Sequence, residues 1–400
     1  MFGEVTRRRN PALVEVAVEL HRRGQIPPNT YVIDVDTVEQ NAAAVASAAT
    51  AAGLETLQMT KQFGRNPVVA AAAERGGIPE VVAVDFECAR VLHAFGLKIG
   101  HLGHLVQIPS TDRTAAMRLD PRQVTVFDIQ QAAAIGEVAA AMGRTQGVLL
   151  RVVAEGDIFY PAQRGGIPEY DLVTAAKAVD DIDGVKVIGV TSFPCLMFDP
   201  DAGEVSPTPN LSTVAGAAQT LRDEGFEISV VNTPSMSTSA TVGILADHGS
   251  TQIEPGSCLI GHTPLHAVSD EPELPAMVYV SEISHRYSDC AYAFGGGFYP
   301  RSRAKTALVF TSDGSVHEAG VELDPPDAID YHGTLHVDPA LVKIGDTVIY
   351  AFRSQVFVAH SWVAPVSGLA SGAPVIEGLF TERGWPVTED LVPAAFGGLQ

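Results

Sequence analysis

The 400-residue chain has little lysine and no long apolar run. Only six of its 26 basic residues are lysines, and its formal net charge is −21 at pH 7. A nucleic acid or an anionic membrane surface would have to bind against that overall field. No uninterrupted apolar segment approaches the roughly 18 residues that a membrane span needs. These absences argue against a nucleic-acid-binding protein and against a membrane protein.

Cysteine is too sparse for a disulfide framework or a zinc site. The four cysteines form no CxxC pair and stand at Cys88, Cys195, Cys258 and Cys290. This scatter is typical of reduced thiols. The apolar stretch of the N-terminal segment is interrupted by Glu15 and Glu19, as in an amphipathic helix rather than a signal peptide. We therefore expect a cytoplasmic protein.

The chain changes character near Pro275. With 46% hydrophobic and 18% charged residues, it has the composition of a folded protein with a sizeable core. Before Pro275, short apolar runs alternate with Ala-rich helical stretches, whereas β-rich runs follow one another after it. We therefore expect two domains, residues 1–274 and residues 275–400.

Eight apolar runs in the first part are separated by helical stretches. They cover residues 56–59, 81–85, 99–105, 124–127, 147–153, 186–190, 228–232 and 252–260. Alternating strands and helices predict parallel pairing, and eight such units predict closure of the sheet. The expected fold is α/β, a TIM-type (β/α)8 barrel followed by a C-terminal β-rich domain.

Lys61 stands at the end of the first predicted strand, in LQMTKQFGRNP. Barrel enzymes assemble their sites at this end of the strands. A lysine amine in partly apolar surroundings can be desolvated and can form a Schiff base with a carbonyl group. Its position alone is equally compatible with a surface lysine in a loop.

Two further loops carry residues that suit an anion. The loop after the seventh run, VNTPSMSTSATVG, places hydroxyl groups before a helical stretch, and the eighth run ends in IEPGSCLIG. There, Glu254 is an acid in an apolar strand, and Gly256 allows close approach of a ligand to the backbone. The last two loops of a barrel are its usual phosphate site, although an ordinary Ser/Thr helix cap has the same pattern.

In order and spacing, these motifs resemble the fold-type III pyridoxal 5′-phosphate (PLP) enzymes, the superfamily of alanine racemase and the basic amino acid decarboxylases. The resemblance begins at TYVIDVDTVEQNAAAV, covers nearly the whole chain and is greatest to the YhfX-type branch. It implies that Lys61 binds PLP as a Schiff base and that Glu254 faces the pyridine nitrogen. It places Ser235, Thr238, Ser239, Gly256 and Ser257 at the phosphate of the cofactor. Arg65, four residues past Lys61, could reach the same phosphate or form a salt bridge within its loop. Thr191 and Ser192, after the sixth predicted strand, are expected to pack on the cofactor ring. Arg164 would hold a substrate carboxylate or support the cofactor.

The resemblance implies an amino acid racemase that acts as a homodimer on a small-molecule substrate. Lys61 and a second acid would exchange the Cα proton of an external aldimine on opposite faces. In alanine racemase the second acid is a tyrosine of the partner's C-terminal domain, and SDCAYAFGGGFYPRSR offers Tyr292, with Tyr299 and Cys290 nearby. A carboxylate at position 254 would strengthen PLP as an electron sink.

Other reactions remain open. Alanine racemase has an arginine at the place that matches Glu254, whereas the decarboxylases have Glu-Pro-Gly-Arg where this chain has Glu254-Pro255-Gly256-Ser257. The Cys-Asp pair of the decarboxylases is reversed here as Asp289-Cys290. D-threonine aldolases use a metal held by C-terminal residues, of which this chain offers only His360. A PLP carrier without turnover would be a lone barrel, and a barrel enzyme without PLP is the last alternative. In the apolar strand that carries them, His101 and His104 are expected to make core hydrogen bonds, and no metal is expected.

Overall fold

A computed structural model describes residues 2–297, 302, 304–325 and 327–387. Its α-helices are α1 (Phe2–Arg9), α2 (Pro11–Arg22), α3 (Val35–Ala51), α4 (Pro67–Arg75), α5 (Phe86–Ala94), α6 (Arg113–Arg118), α7 (Ile129–Ala141), α8 (Leu172–Asp180), α9 (Pro209–Asp223) and α10 (Val242–Asp247). Among the residues that the structure describes, no helix is long and apolar enough to span a membrane.

The first half of the chain contains the strands β1 (Thr30–Asp34), β2 (Glu55–Thr56), β3 (Gln58–Met59), β4 (Glu80–Ala83), β5 (Lys98–Leu102), β6 (Gln123–Val126), β7 (Gln146–Val153), β8 (Ile167–Pro168), β9 (Val185–Thr191) and β10 (Leu196–Asp199). The second half contains β11 (Glu204–Pro207), β12 (Val230–Asn232), β13 (Gln252–Ile253), β14 (Met277–Tyr287), β15 (Cys290–Phe294), β16 (Thr306–Phe310), β17 (Val316–Glu322), β18 (His332–His336), β19 (Thr347–Tyr350), β20 (Trp362–Ser367), β21 (Val375–Ile376) and β22 (Phe380–Thr381).

The described residues form two compact units. The barrel unit comprises residues 42–60 and 73–256, and the β unit comprises the described residues of 1–41, 61–72 and 257–400. This division differs from the expected ranges 1–274 and 275–400. The reason is that β1 pairs antiparallel with β14 and parallel with β20, which places the N-terminal segment in the β unit.

A closed parallel sheet forms the barrel unit. Its strands follow the order β2-β13-β12-β9-β7-β6-β5-β4-β3. β2 and β3 are two parts of one run, separated by Leu57, whose N–H donates to the carbonyl of Ile253 (3.0 Å). Because β2 pairs with β13 and β3 pairs with β4, this run closes the sheet. The predicted barrel of eight strands is confirmed.

The last barrel strand is shorter than its sequence predicts. The expected run covers residues 252–260, but β13 contains only Gln252 and Ile253. Pro255 has no N–H to continue the ladder, although its carbonyl accepts a hydrogen bond from the Met59 N–H (2.8 Å). Glu254 is therefore the first residue past the strand.

The β unit is organised around an antiparallel sheet with the order β15-β18-β17-β16-β19-β14-β1-β20-β21, and β22 pairs with β20. The side chains of β1 are buried throughout. The apolar face of α2 contributes to a core with strand residues that include Val32, Val278, Ile349 and Val366. The expected C-terminal β-rich domain is confirmed.

Candidate active site

Polar side chains fill one part of the barrel interior. Alternate residues of a barrel strand face inward, and two hydrogen bonds between strands that are not neighbours identify this face. Gln123 Nε2 on β6 donates to Gln252 Oε1 on β13 (2.7 Å). His101 Nδ1 on β5 lies 2.7 Å from Glu254 Oε1, just past β13. We call the interior residues His101, His104, Thr125, Arg151, Thr191, Asn232, Gln252 and Glu254 the interior polar cluster.

Glu254 is the acidic centre of this cluster, and it is only 5% exposed. Its Oε1 accepts hydrogen bonds from His101 Nδ1 (2.7 Å) and Asn232 Nδ2 (3.0 Å). Its Oε2 lies 3.7 Å from His104 Nε2, and no described residue makes a hydrogen bond to it. Glu254 thus keeps one buried oxygen available to a further donor.

The electrostatics keep this carboxylate ionised. Burial by itself raises the pKa of Glu254. Positive charge on His104 and His101 and hydrogen bonds from His101 and Asn232 lower the pKa by more than burial raises it, so the net value is about 2. Such a carboxylate is negatively charged at every pH at which enzymes normally work.

Hydrogen bonds also orient the groups around Glu254. His101 Nε2 lies 2.6 Å from the Thr125 hydroxyl, so both nitrogens of this ring have hydrogen-bond partners. The Thr191 hydroxyl donates to Asn232 Oδ1 (2.8 Å), so the amide group of Asn232 points towards Glu254. The expected hydrogen bonds of His101 are therefore present, but their link to Glu254 was not foreseen.

Three atoms of the cluster have the spacing of a metal site. One ligand atom each from His101, His104 and Glu254 lies within 4.8 Å of the others. The hydrogen bond between His101 and Glu254 already uses two of the three groups. The expectation that His101 and His104 make core hydrogen bonds rather than bind a metal stays a prediction.

Arg151 is the buried cation of the cluster. It is 2% exposed, and it pairs in register with Thr191 of the neighbouring strand. One N–H of its Nη2 donates to the carbonyl of Gln163 (2.7 Å), and its guanidinium lies over the Phe127 ring, 4.7 Å from the centroid. Burial lowers the pKa of Arg151, and the charge of Asp157 opposes this effect.

Lys61 and Arg65 lie in the β unit. Lys61 begins a 3-10 helix, Lys61–Phe63, two residues after β3 ends, and its side chain is half-buried. Arg65 is 4% exposed, has a φ of 57°, and its guanidinium lies 5.2 Å from the centroid of the Phe357 ring. Their cofactor roles stay predictions.

Thr191 and Ser192 are buried at the end of β9. Besides the bond from Thr191 to Asn232, Ser192 Oγ accepts from Asn210 Nδ2 (3.2 Å). In the predicted phosphate loop, Ser235 has a φ of 100° and donates its hydroxyl to the carbonyl of Leu196 (2.8 Å). These bonds hold both segments in place.

The rest of that loop, residues 237–241, turns into α10. The N–H of Thr238 donates to the Thr241 hydroxyl (2.9 Å), and Ser239 is half-buried. Gly256 is buried, and the carbonyl of Ser257 accepts from the His262 N–H (2.9 Å). Phosphate binding by these residues stays a prediction.

Tyr292 and Arg164 stand in different surroundings. Tyr292 lies on β15 in the β unit, and its half-buried ring stacks on His285 with centroids 4.6 Å apart. Arg164 is exposed in the loop between β7 and β8 of the barrel unit. Tyr299, named with Tyr292 above, is outside the described residues.

Asn232 and Arg151 belong to the interior polar cluster but were not among the predicted site residues. Both are polar residues within apolar runs, VVN and GVLLRVV. Each has an inward-facing partner in register, since Asn232 pairs with Thr191 and Thr191 pairs with Arg151. A polar residue in an otherwise apolar barrel strand is the signal that would have found them.

Two family models and one relative match most of this chain. Residues 33–264 match the family model "Alanine racemase, N-terminal domain", and residues 278–376 match "YhfX-like, C-terminal domain". The chain is 37% identical to the uncharacterized protein YhfX of Escherichia coli (strain K12) over 385 residues, 96% of this chain and 99% of that protein.

Two solved structures have a similar fold. A D-threonine aldolase from Filomicrobium marinum gives a TM-score of 0.66 at 19% identity, covering 90% of this chain and 95% of that one. An alanine racemase from Clostridium difficile 630, in complex with cycloserine, gives 0.62 at 15% identity, covering 88% and 98%. The chain thus belongs to the alanine racemase-like family of fold-type III enzymes, in its YhfX-type branch, and its cofactor is PLP.

Proposed function

We propose that this protein is a PLP-dependent amino acid racemase. The observation that carries the proposal is the buried, ionised Glu254, whose Oε2 receives no hydrogen bond from a described residue. A negative charge at this position favours the protonated form of a ring nitrogen placed against it. That form of the ring is the stronger electron sink for negative charge at the Cα of an amino acid.

The residues of the interior polar cluster fit the cofactor. Glu254 Oε2 is a buried acceptor, and the N–H of a pyridinium ring is a donor that matches it in charge. His101 and Asn232 hold the other oxygen, so the carboxylate cannot turn away from such a donor without losing two hydrogen bonds. PLP supplies an electron sink for negative charge at the Cα of the substrate.

The chain supplies the acid-base groups. In this proposal the Lys61 amine first binds the cofactor and then removes the Cα proton from one face of the substrate. The Tyr292 hydroxyl, from a second copy of the chain, donates a proton on the other face. This second role requires a homodimer, which we propose as the working form. We also propose a cytoplasmic location, which the four buried cysteines support because they form no disulfide.

The test is proton exchange at Cα. Pure protein loaded with PLP is incubated in D₂O with single L-amino acids, and the products are analysed by mass spectrometry and chiral chromatography. The expected result is deuterium at Cα together with the D-enantiomer. Release of CO₂ without either product would favour a decarboxylase, the second candidate, which the segment Glu254-Pro255-Gly256 supports.

The lysine is tested separately. Borohydride reduction of the loaded protein followed by peptide mapping is expected to mark Lys61. A mark on any other residue, or none, would contradict the proposed role of Lys61.

A further inference from the structure

We infer that Arg151 binds the carboxylate of the amino acid substrate inside the barrel. The inference rests on the proposed function, because it names the group of the substrate that the barrel interior recognises. The group that Arg151 binds must be an oxyanion with at least two acceptor oxygens.

The guanidinium of Arg151 has more N–H donors than the described residues offer acceptors. It has five N–H groups, and the one hydrogen bond that the structure gives it goes to the carbonyl of Gln163 (2.7 Å). The N–H of Nε and both N–H groups of Nη1 are buried without an acceptor among the described residues. A buried cation is costly unless a partner compensates it. A ligand that enters the barrel would be such a partner.

Asp157, the acid whose charge raises the pKa of Arg151, is not a hydrogen-bond partner of these N–H groups. Asp157 raises the pKa of Arg151, but no described carboxylate accepts a hydrogen bond from the buried Nε and Nη1 groups of the guanidinium. Both oxygens of Asp157 are engaged elsewhere, by the N–H of Ala154 (2.8 Å) and the hydroxyl of Thr213 (2.8 Å). No described residue therefore fills the acceptor positions at Nε and Nη1 of Arg151.

Neighbouring residues hold the guanidinium of Arg151 in place. Phe127 covers one face of it, and two glycines pack closely from the loop before β8. A Cβ at Gly166 would stand 2.8 Å from the Arg151 carbonyl oxygen and 3.2 Å from its Cγ, and a Cβ at Gly165 would stand 3.1 Å from the Phe127 ring. Only glycine leaves room there, so the loop fixes Arg151 and brings the Gln163 carbonyl to it.

The position of Arg151 in the barrel distinguishes between the two anions that it could bind. The planar fork of an arginine matches carboxylate and phosphate oxygens. The predicted phosphate loops follow β12 and β13, whereas Arg151 is on β7, with β9 in between. Arg151 also shares a layer of the interior with Thr191 and Asn232, next to Glu254. This placement favours the carboxylate of the substrate over the phosphate of the cofactor.

The test uses the holoenzyme and pairs of probes that differ only in the carboxylate, beginning with alanine and alaninamide and continuing through other amino acids and their amides. The apparent Kd of each probe is read from the change in the visible absorbance of the cofactor. The wild-type protein is expected to bind the free acid of at least one pair more tightly than its amide. Arg151→Gln is expected to raise the Kd of that acid about 30-fold, as for loss of a charged hydrogen-bonded pair.

The same substitution is expected to leave the Kd of the amide and the Kd of PLP within about threefold, since neither is bound by the guanidinium in this scheme. Arg151→Lys keeps the charge without the fork and is expected to recover part of the loss. Arg118→Gln, a change of an exposed arginine at the end of α6, is the control and should alter none of these values.

Four results would overturn the inference. The first is a wild-type protein that does not distinguish any acid from its amide, and the second is an Arg151→Gln protein that binds all probes normally. The third is an Arg151→Gln protein that loses PLP affinity and binds acid and amide equally weakly. The fourth is a loss of acid binding in Arg164→Gln instead of in Arg151→Gln. The third would identify the phosphate as the anion.

Folding is checked on the cofactor-free protein. Because Arg151→Gln removes a buried cation that lacks acceptors, its Tm is expected to equal or exceed that of the wild type. If both Arg151→Gln and Arg151→Met fail to fold, the arginine is structural and the inference is wrong. Discrimination between acid and amide without deuterium exchange in D₂O would instead contradict only the proposed racemase.

Discussion

Replacing Glu254 by Gln tests the charge at the centre of the barrel interior. The pKa of Glu254 is about 2, which is about 5 units below pH 7, so protonating the carboxylate at pH 7 would cost about 7 kcal/mol. The glutamine side chain would keep the size of the original and one oxygen for His101 and Asn232. Its amide would present a neutral N–H donor where Glu254 Oε2 is an acceptor.

The expected effect is a loss of Cα exchange with PLP still bound. Removing a charged hydrogen bond costs about 1.5–3 kcal/mol, which predicts a decrease of about 10- to 150-fold in the exchange rate. The assay is deuterium uptake at Cα in D₂O under saturating substrate, with PLP content measured in parallel. A Glu254→Gln protein that folds, binds PLP and exchanges within about threefold of the wild-type rate would refute the reasoning.

A matched control exists in the same hydrogen-bond network. Glu55 accepts from Gln252 Nε2 (2.7 Å) and forms an ion pair with Arg122, and its side chain is 46% exposed. Glu55→Gln removes the same charge at this more exposed position. We expect it to change the exchange rate by less than about twofold.

The substitution at position 254 also changes the response to acid. The pKa of Glu254 is lowered by folding, so its stabilisation is present above pH 4.5 and is lost as the pH falls towards about 2. The full difference corresponds to about 3 kcal/mol. Thermal melts between pH 6 and pH 3 should therefore show that the unfolding free energy of Glu254→Gln declines less than that of the wild type.

Three further predictions concern other residues. Lys61→Ala is expected to lose the visible absorbance of bound PLP, and an unchanged spectrum would contradict its role. Mixing inactive Lys61→Ala and Tyr292→Phe chains should restore about a quarter of wild-type activity if each site uses two chains, and no recovery would argue against the shared site. His262 is 1% exposed, and burial and the charge of His266 lower its pKa to about 3, so its stabilisation is lost as the pH falls below about 6.5. His262→Phe should therefore remove about 2 kcal/mol of the destabilisation between pH 8 and pH 5, measured by denaturant unfolding.

The barrel could be predicted because its signal is local. Each unit joins a short apolar run to a helical stretch, and caps such as Asp85 and Asp128 begin helices within single turns. The ends of strands were less predictable. The eighth strand stops at Ile253 because Pro255 lacks the N–H that pairing needs, although the apolar pattern continues to residue 260.

The place of the N-terminal segment could not be predicted in this way. TYVID reads as an apolar strand in the sequence, but its partners β14 and β20 begin more than 200 residues later. Pairing over such distances depends on which backbone groups find each other in the folded protein, and no local pattern encodes it.

The sequence by itself determined the barrel, the β-rich second part and the positions of Lys61 and Glu254 at the ends of strands, because strand and helix periodicity and residue type are local properties. Only the tertiary structure decided that Glu254 meets His101 and Asn232, and that Arg151 is buried without enough acceptors. These residues are separated by up to 153 positions and meet only because barrel closure turns alternate side chains of distant strands into one interior.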